Sequence, residues 1–230
     1  MKTLMNFSNI ETWIFDLDNT LYHSSLNLFS QIDKRMSAYV ADFLGVSRSE
    51  AYKIQKGFFR EHGTTLRGMM NCYDMEPEPY LDYVHDINFS IIKPDMKLIN
   101  ALNKLSGRKI VFTNATEKYA KKIITKLGIN SNIEKIFDIT AANYIPKPNP
   151  IVYNQFIEKF NINPTKAIMF EDMVRNLIPA ASLGMRTVWV DTGHEWAKNQ
   201  IELIKPDYIT DGLSEWLYKV TELSRFSLTY

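Results

Sequence analysis

Two aspartates two positions apart, Asp16 and Asp18, follow the apolar run Thr12-Trp13-Ile14-Phe15. That run has no helical spacing and fits a strand buried on both faces, as in a parallel sheet. Side chains at i and i+2 of an extended chain point to the same side, so both carboxylates can face one spot. Crowding two acids there costs stability unless a cation shares them. Asn19 and Thr20 add turn-forming and hydroxyl chemistry. A calcium loop of the EF-hand kind would need Gly and Glu at its sixth and twelfth positions. Those positions hold Leu21 and Asn27, so that reading fails. A plain turn after a strand remains the other reading of this stretch taken alone.

The stretch has company. Lys109-Ile110-Val111-Phe112 is a second buried-type strand, ending in Thr113-Asn114. Ala167-Ile168-Met169-Phe170 is another, ending in Glu171-Asp172. Lys147 sits between them in Pro146-Lys147-Pro148-Asn149-Pro150, where prolines stiffen the backbone. Taken alone it reads as a solvated surface lysine. Carboxylates at strand ends suit Mg²⁺, which takes one or two of them plus waters and a substrate phosphate. Thr, Asn and Lys suit the outer oxygens of a phosphate, and a carboxylate can itself attack phosphorus. Two like charges ~4 Å apart repel by roughly 4 kcal/mol at an effective dielectric of ~20. A phosphate dianion facing Asp16 would roughly double that and slow attack by several powers of ten. Bound Mg²⁺ and Lys147 can offset the penalty.

The elements that must position these groups alternate. Ile136 to Ile139, Arg186 to Val190 and Tyr208-Ile209 read as further strands. Helices separate them, one capped by Thr116 and one begun by Asn149-Pro150. Pro179 is tolerable only near a first turn. Leu213 to Leu223 reads as a closing amphipathic helix. Such alternation predicts an α/β fold, a Rossmann-like parallel sheet with helices on both faces and its ligand at the carboxyl ends of the strands. Between Leu21 and Lys93 only helical patterns occur. Ser47-Arg48-Ser49-Glu50 is a capping box there, and Gly57, Gly63 and Gly68 interrupt the helical pattern beyond it. The expected division is a core of residues 1–21 and 94–230, with an all-helical segment 22–93 inserted after the first strand.

The chain has 230 residues, 45% of them hydrophobic, which suffices for a sizeable core. The net charge of +1 points to neither a nucleic-acid nor a membrane-surface partner. Cys72 is the single cysteine, so no internal disulfide forms, which fits a reducing, cytoplasmic setting. Met1 to Asn9 lacks an apolar core of signal-peptide length, and no stretch approaches the ~20 apolar residues that span a bilayer.

Together these residues resemble the four ordered motifs of the haloacid dehalogenase superfamily of phosphohydrolases. Asp16-x-Asp18-Asn19-Thr20 looks like the first, Thr113-Asn114 the second, Lys147 the third and Glu171-Asp172 the fourth. Segment 22–93 resembles the cap domain of the first subclass. Phe15 to Tyr22, Gly63 to Gly68 and Phe170 to Leu177 look like the pyrimidine 5′-nucleotidase branch. The resemblance implies that Asp16 attacks phosphorus. Asp18 then protonates the leaving oxygen and later activates water. Like-charge repulsion from Asp16 favours the protonated Asp18 this requires. It further implies that Asp16, the backbone carbonyl of Asp18, and Asp172 bind Mg²⁺, while Thr113, Asn114 and Lys147 hold the phosphate. Thr20, Glu171 and Asn176 would support the site. Asn176 stands where many members carry a further acid. Tyr22, His23, Thr65 and Arg67 are the candidates for contacting the rest of the substrate, and Tyr73 reads as cap packing.

The expected activity is Mg²⁺-dependent hydrolysis of a small phosphomonoester, a pyrimidine nucleoside monophosphate. The alternative is a phosphatase of another small metabolite, such as phosphoglycolate or a sugar phosphate. A dehalogenase fits poorly, because that branch does without the second acid that Asp18 supplies. A non-catalytic binding protein also fits poorly, because Asp16, Asp18 and Lys147 are all present.

Overall fold

The computed structural model describes residues 7–226. The amino-terminal reading from Met1 to Asn9 falls largely outside them. The strands are β1 (Thr12–Phe15), β2 (Arg108–Phe112), β3 (Lys135–Phe137), β4 (Ala167–Glu171), β5 (Arg186–Val190) and β6 (Tyr208–Thr210). They form a six-stranded sheet in the order β3-β2-β1-β4-β5-β6, and every pairing is parallel. The chain therefore reverses direction of growth beside β1, where open α/β sheets leave a crevice at the strand ends. Register puts Phe15 opposite Val111 on one side and Phe170 on the other. The next residues, Asp16, Phe112 and Glu171, consequently share one edge.

Strand alternation explains the apolar runs. Trp13, Phe15, Val111, Ile168 and Phe170 belong to one buried cluster. Ile14, Ile110, Phe112 and Met169 belong to another. Successive residues thus serve opposite faces, and both faces are covered. The first face is packed by α5 (Met96–Lys104), α6 (Glu117–Leu127) and α9 (Leu213–Phe226). The second is packed by α7 (Pro150–Phe160) and α8 (Val174–Ser182). Thr116 caps α6 by accepting from the Tyr119 N–H at 3.3 Å, and Asn149 caps α7 by accepting from Ile151 at 3.0 Å. Pro179 lies inside α8, past its first turn. It cannot donate to the Arg175 carbonyl, and the helix nevertheless continues to Ser182.

Between β1 and β2 lie α1 (Leu28–Leu44), α2 (Arg48–Glu61), α3 (Thr65–Tyr73) and α4 (Pro77–Val84). Ser47 caps α2 by accepting from the Glu50 N–H at 3.2 Å. Gly57 and Gly68 do not interrupt helices here; they sit within α2 and α3. Gly68 is there for close approach, since a Cβ would lie 2.2 Å from Cγ of Phe58. Only Gly63, at φ +84°, falls in the link between the two helices. Among the described residues, no helix is long and apolar enough to cross a membrane.

Several contacts join this helical segment to the rest of the fold, among them those of Arg175 and His85. Arg175 of α8 donates to the carbonyls of Phe59 at 3.2 Å and Gly63 at 2.9 Å, with its guanidinium 4.2 Å over the Phe59 ring. His85, after α4, stacks on Tyr119 of α6 at 4.4 Å and meets Thr116 Oγ1 at 3.2 Å. Burial pushes the His85 imidazole down to about 4; Asp82 opposes that shift and Lys122 adds to it. Below the ordinary histidine value the unfolded chain therefore binds a proton that folded His85 refuses. Stability should fall as pH drops from about 6.5 to about 4, with His85 contributing on the order of 3 kcal/mol. Denaturant unfolding across that range should show a flatter slope for His85→Phe than for the parent. Parallel slopes would remove His85 from the account.

Candidate active site

Lys147 is the centre of the site. It is 1% exposed, and its Nζ donates to Asp16 Oδ1 at 2.8 Å, Glu171 Oε2 at 2.7 Å and the Phe112 carbonyl at 2.8 Å. All three ammonium protons have acceptors, so this is not a solvated lysine. Burial disfavours its charge, but Asp16 and Glu171 outweigh that and hold its pKa above the ordinary lysine value. The loop is held by Asn114, which accepts from the Lys147 N–H at 2.8 Å and donates to its carbonyl at 3.3 Å. Asn114 therefore clamps the lysine peptide. Thr113 Oγ1 accepts from the Ala115 N–H at 3.0 Å, which shapes the turn after β2.

Asp16, Glu171 and Asp172 bring carboxylate oxygens within 4.8 Å of one another, all buried. Burial, then Glu171, pushes Asp16 up to about 7 even though Lys147 pulls the other way. Burial, then Glu171 and Asp16, holds Asp172 well above the usual carboxylate range. A divalent cation reverses this logic by favouring the charged forms. The donor set fits one: the ligands are hard oxygens, and Asn176 on the same cavity wall has a buried Oδ1 with no hydrogen-bond partner, whereas Thr20 does not line the cavity. Glu171 is already committed, accepting from Lys147 on Oε2 and from the Met173 N–H on Oε1 at 3.2 Å. Asp16 and Asp172 are the acids left to meet a metal. Asn19, at φ +60°, donates to Asp172 Oδ2 at 3.4 Å, and Trp189 Nε1 donates to the Asp172 carbonyl at 2.9 Å.

The carboxylate of Asp18 is not part of that cluster. Asp16 and Asp18 follow the end of β1 and line the same cavity, but their carboxylates take different partners. Asp18 Oδ1 instead accepts from Tyr22 Oη at 2.6 Å and from Tyr119 Oη at 2.7 Å. Burial raises the Asp18 pKa, and the two hydroxyls temper the rise.

These groups line one cavity of about 800 Å³. Asp16, Asp18, Thr113, Asn114 and Lys147 lie on its wall, with Glu171, Asp172 and Asn176. Its other walls come from the helical segment and from the chain after β5. Of the candidates for reading the rest of the substrate, Thr65 lines the cavity, whereas Tyr22, His23 and Arg67 do not. Tyr22 is buried on Asp18, and His23 caps a short 3-10 helix by accepting from the Ser25 N–H at 3.1 Å. Arg67 belongs to α3, where its N–H is capped by Thr64. Tyr73 packs edge-on to Phe58.

Sequence reasoning misses several wall residues. Tyr52, Gln55, Lys56 and Phe59 of α2 face the site, as does Trp196, which meets Phe59 edge-on at 6.4 Å. Asp33 of α1 accepts from Gln55 Nε2 at 2.7 Å and Lys56 Nζ at 2.6 Å. These are ordinary residues of amphipathic helices, and nothing in their spacing separates a wall position from a packing one. Arg175 does carry a signal, since it lies four residues after Glu171, on the helix that leaves β4.

The family described as haloacid dehalogenase-like hydrolase matches residues 13–190. The chain belongs to that family of hydrolases. It is 24% identical over 232 residues to a phosphoglycolate phosphatase of Vibrio vulnificus, covering 93% of this chain and 97% of that one. It is 26% identical over 197 residues to phosphate metabolism protein 8 of Saccharomyces cerevisiae, covering 76% of this chain and only 60% of the yeast protein's length. The fold superimposes on a phosphatase of the same superfamily from Thermococcus onnurineus with a TM-score of 0.60 at 17% identity, covering 94% and 98% of the two chains.

Proposed function

We propose that this chain is a Mg²⁺-dependent phosphomonoesterase that hydrolyses pyrimidine nucleoside 5′-monophosphates through an aspartyl-phosphate on Asp16. The observation that carries the chemistry is Asp16 tethered to buried Lys147 on the wall of the cavity. Lys147 fixes one carboxylate oxygen and leaves the other to attack phosphorus. Asp18 donates a proton to the departing ester oxygen, then takes one from the water that cleaves the intermediate. Asp16, Asp172 and the Asp18 carbonyl would hold Mg²⁺, which when bound offsets repulsion between Asp16 and the phosphate dianion. Glu171 keeps Lys147 charged and placed, and Asn114 holds the lysine loop. Thr113, Asn114 and Lys147 surround the transferring phosphoryl group. Residues 22–93 act as a cap over the core of residues 1–21 and 94–230.

The size and lining of the cavity support a nucleotide. About 800 Å³ is generous for a two-carbon phosphate and suits a ligand of drug-like size. Tyr52, Phe59 and Trp196 offer rings on which a base can stack. The Vibrio relative's name favours a second reading, phosphoglycolate or a similar small acid phosphate. Arg60, also on the wall, could meet such a second anion.

Phosphate release from UMP, CMP, dUMP, dTMP, AMP, GMP, phosphoglycolate and a sugar phosphate, with and without Mg²⁺, separates the two. A metal-dependent preference for the pyrimidine nucleotides is expected, with activity lost in a chelator. Preference for phosphoglycolate would replace the substrate reading and keep the Asp16 chemistry. Full activity in a chelator would overturn the Mg²⁺ assignment.

A further inference from the structure

Tyr22 and Tyr119 come from different elements, one just after β1 and one from α6. Both hydroxyls end on the same oxygen of the same acid, Asp18 Oδ1, at 2.6 and 2.7 Å. Both rings are buried, 4% and 1% exposed, and neither lines the substrate cavity. Asp18 does line it. Two phenols behind one carboxyl oxygen, with the carboxyl group on the cavity wall, make an asymmetric holder.

We propose that Tyr22 and Tyr119 are positioning residues for Asp18, holding Oδ1 so that Oδ2 carries the transferable proton toward the ester oxygen. The proposal rests on Asp18 being the general acid. A phenol has one proton to give, so Oδ1 is an acceptor twice over and the acid proton belongs on Oδ2. A carboxyl group held on one side cannot swing its O–H away from the leaving group. Tyr119 is itself held, by His85 stacked at 4.4 Å and Phe89 at 5.7 Å, both from segment 22–93. In the first half-reaction the Asp16 oxygen bonds to phosphorus as the ester P–O bond breaks. The Oδ2 proton passes to the leaving oxygen, which departs as the neutral alcohol and leaves Asp18 a carboxylate. In the second, that carboxylate takes a proton from water as water attacks phosphorus. The Asp16–phosphorus bond breaks, phosphate leaves, and Asp16 and protonated Asp18 are restored.

An acid matters in proportion to the basicity of the leaving oxygen. Phenyl and p-nitrophenyl phosphate share a shape and differ in that basicity. The test is kcat/KM for both esters in Tyr22→Phe, Tyr119→Phe, the double variant and Asp18→Asn. Phenylalanine keeps each ring, and turnover of the nitrophenyl ester reports a folded site in the same sample. The single variants carry the test if the double variant fails to fold. The double variant should lose roughly 10- to 100-fold on phenyl phosphate and less than about threefold on the nitrophenyl ester. Asp18→Asn should show the same asymmetry, larger. Equal losses on both esters, or none, in the tyrosine variants while Asp18→Asn stays asymmetric would overturn the holder and leave the acid. A symmetric loss in Asp18→Asn would overturn the acid and the holder with it.

Discussion

Asp16→Asn is expected to abolish phosphate release while leaving the chain folded. An amide is a poor nucleophile, so the aspartyl-phosphate does not form, and turnover should fall by at least about 10⁴-fold. The stability expectation runs opposite to the usual cost of changing a buried polar group. In the parent, burial and Glu171 push Asp16 up to about 7, so its charge is resisted where it stands. A neutral amide relieves that repulsion. Lys147 keeps Glu171 Oε2 and the Phe112 carbonyl as acceptors. Without metal, the melting temperature of Asp16→Asn should match or exceed that of the parent. With Mg²⁺ the order should change, because the parent gains stability from binding and the variant loses one of its ligands. Thermal unfolding with and without Mg²⁺, beside a phosphate-release assay, reads both halves. Retained turnover would remove Asp16 as the nucleophile. A collapsed melting temperature without metal would mean that its carboxylate is structural.

Whether a residue's role is legible in the sequence depends on whether its neighbours are local. The strands can be read because burial on both faces leaves an uninterrupted apolar run. Trp13 and Ile14 serve opposite clusters, yet both must be apolar. The polar residues at the strand ends can be read because parallel strands deliver their carboxyl ends to one edge. Contacts across the chain are the part that cannot be read. Glu171 pairs with the Asp16–Lys147 site through a lysine 24 positions away, and Tyr119 reaches Asp18 across 101 positions. Neither pairing leaves a local pattern. Tyr22 stands out for its place beside the first motif, but that place puts its hydroxyl on Asp18. Gly57 and Gly68 read as breaks because glycine is a poor helix former. At Gly68 the close approach of Phe58 overrides that preference. Pro179 likewise sits beyond the first turn of α8, a helix buried against the second face of the sheet.

Lys147→Met should damage stability and activity together, unlike Asp16→Asn. Methionine has nearly the length of lysine and no charge. It would leave Asp16 and Glu171, 7% and 1% exposed, facing each other with no cation between them. Removing one partner of a buried ion pair costs about 3–5 kcal/mol, because the other charge stays buried and unpaired. For a chain of this length each kcal/mol moves the melting temperature by roughly 2–4 °C, so a fall of about 10 °C is expected. Turnover should be lost as well, since the phosphoryl group loses its cation and Asp16 its tether. The cause can be separated from lost packing by a second change. Glu171→Gln in the Lys147→Met background removes one of the stranded carboxylates and should recover part of the melting temperature. Phosphate release should not return. Mg²⁺ should also narrow the gap between Lys147→Met and the parent, since a divalent cation held by Asp16 and Asp172 puts positive charge within the cluster that includes Glu171. If Lys147→Met melts with the parent, or if neither Glu171→Gln nor Mg²⁺ restores it, the buried charge triangle is not what makes Lys147 necessary.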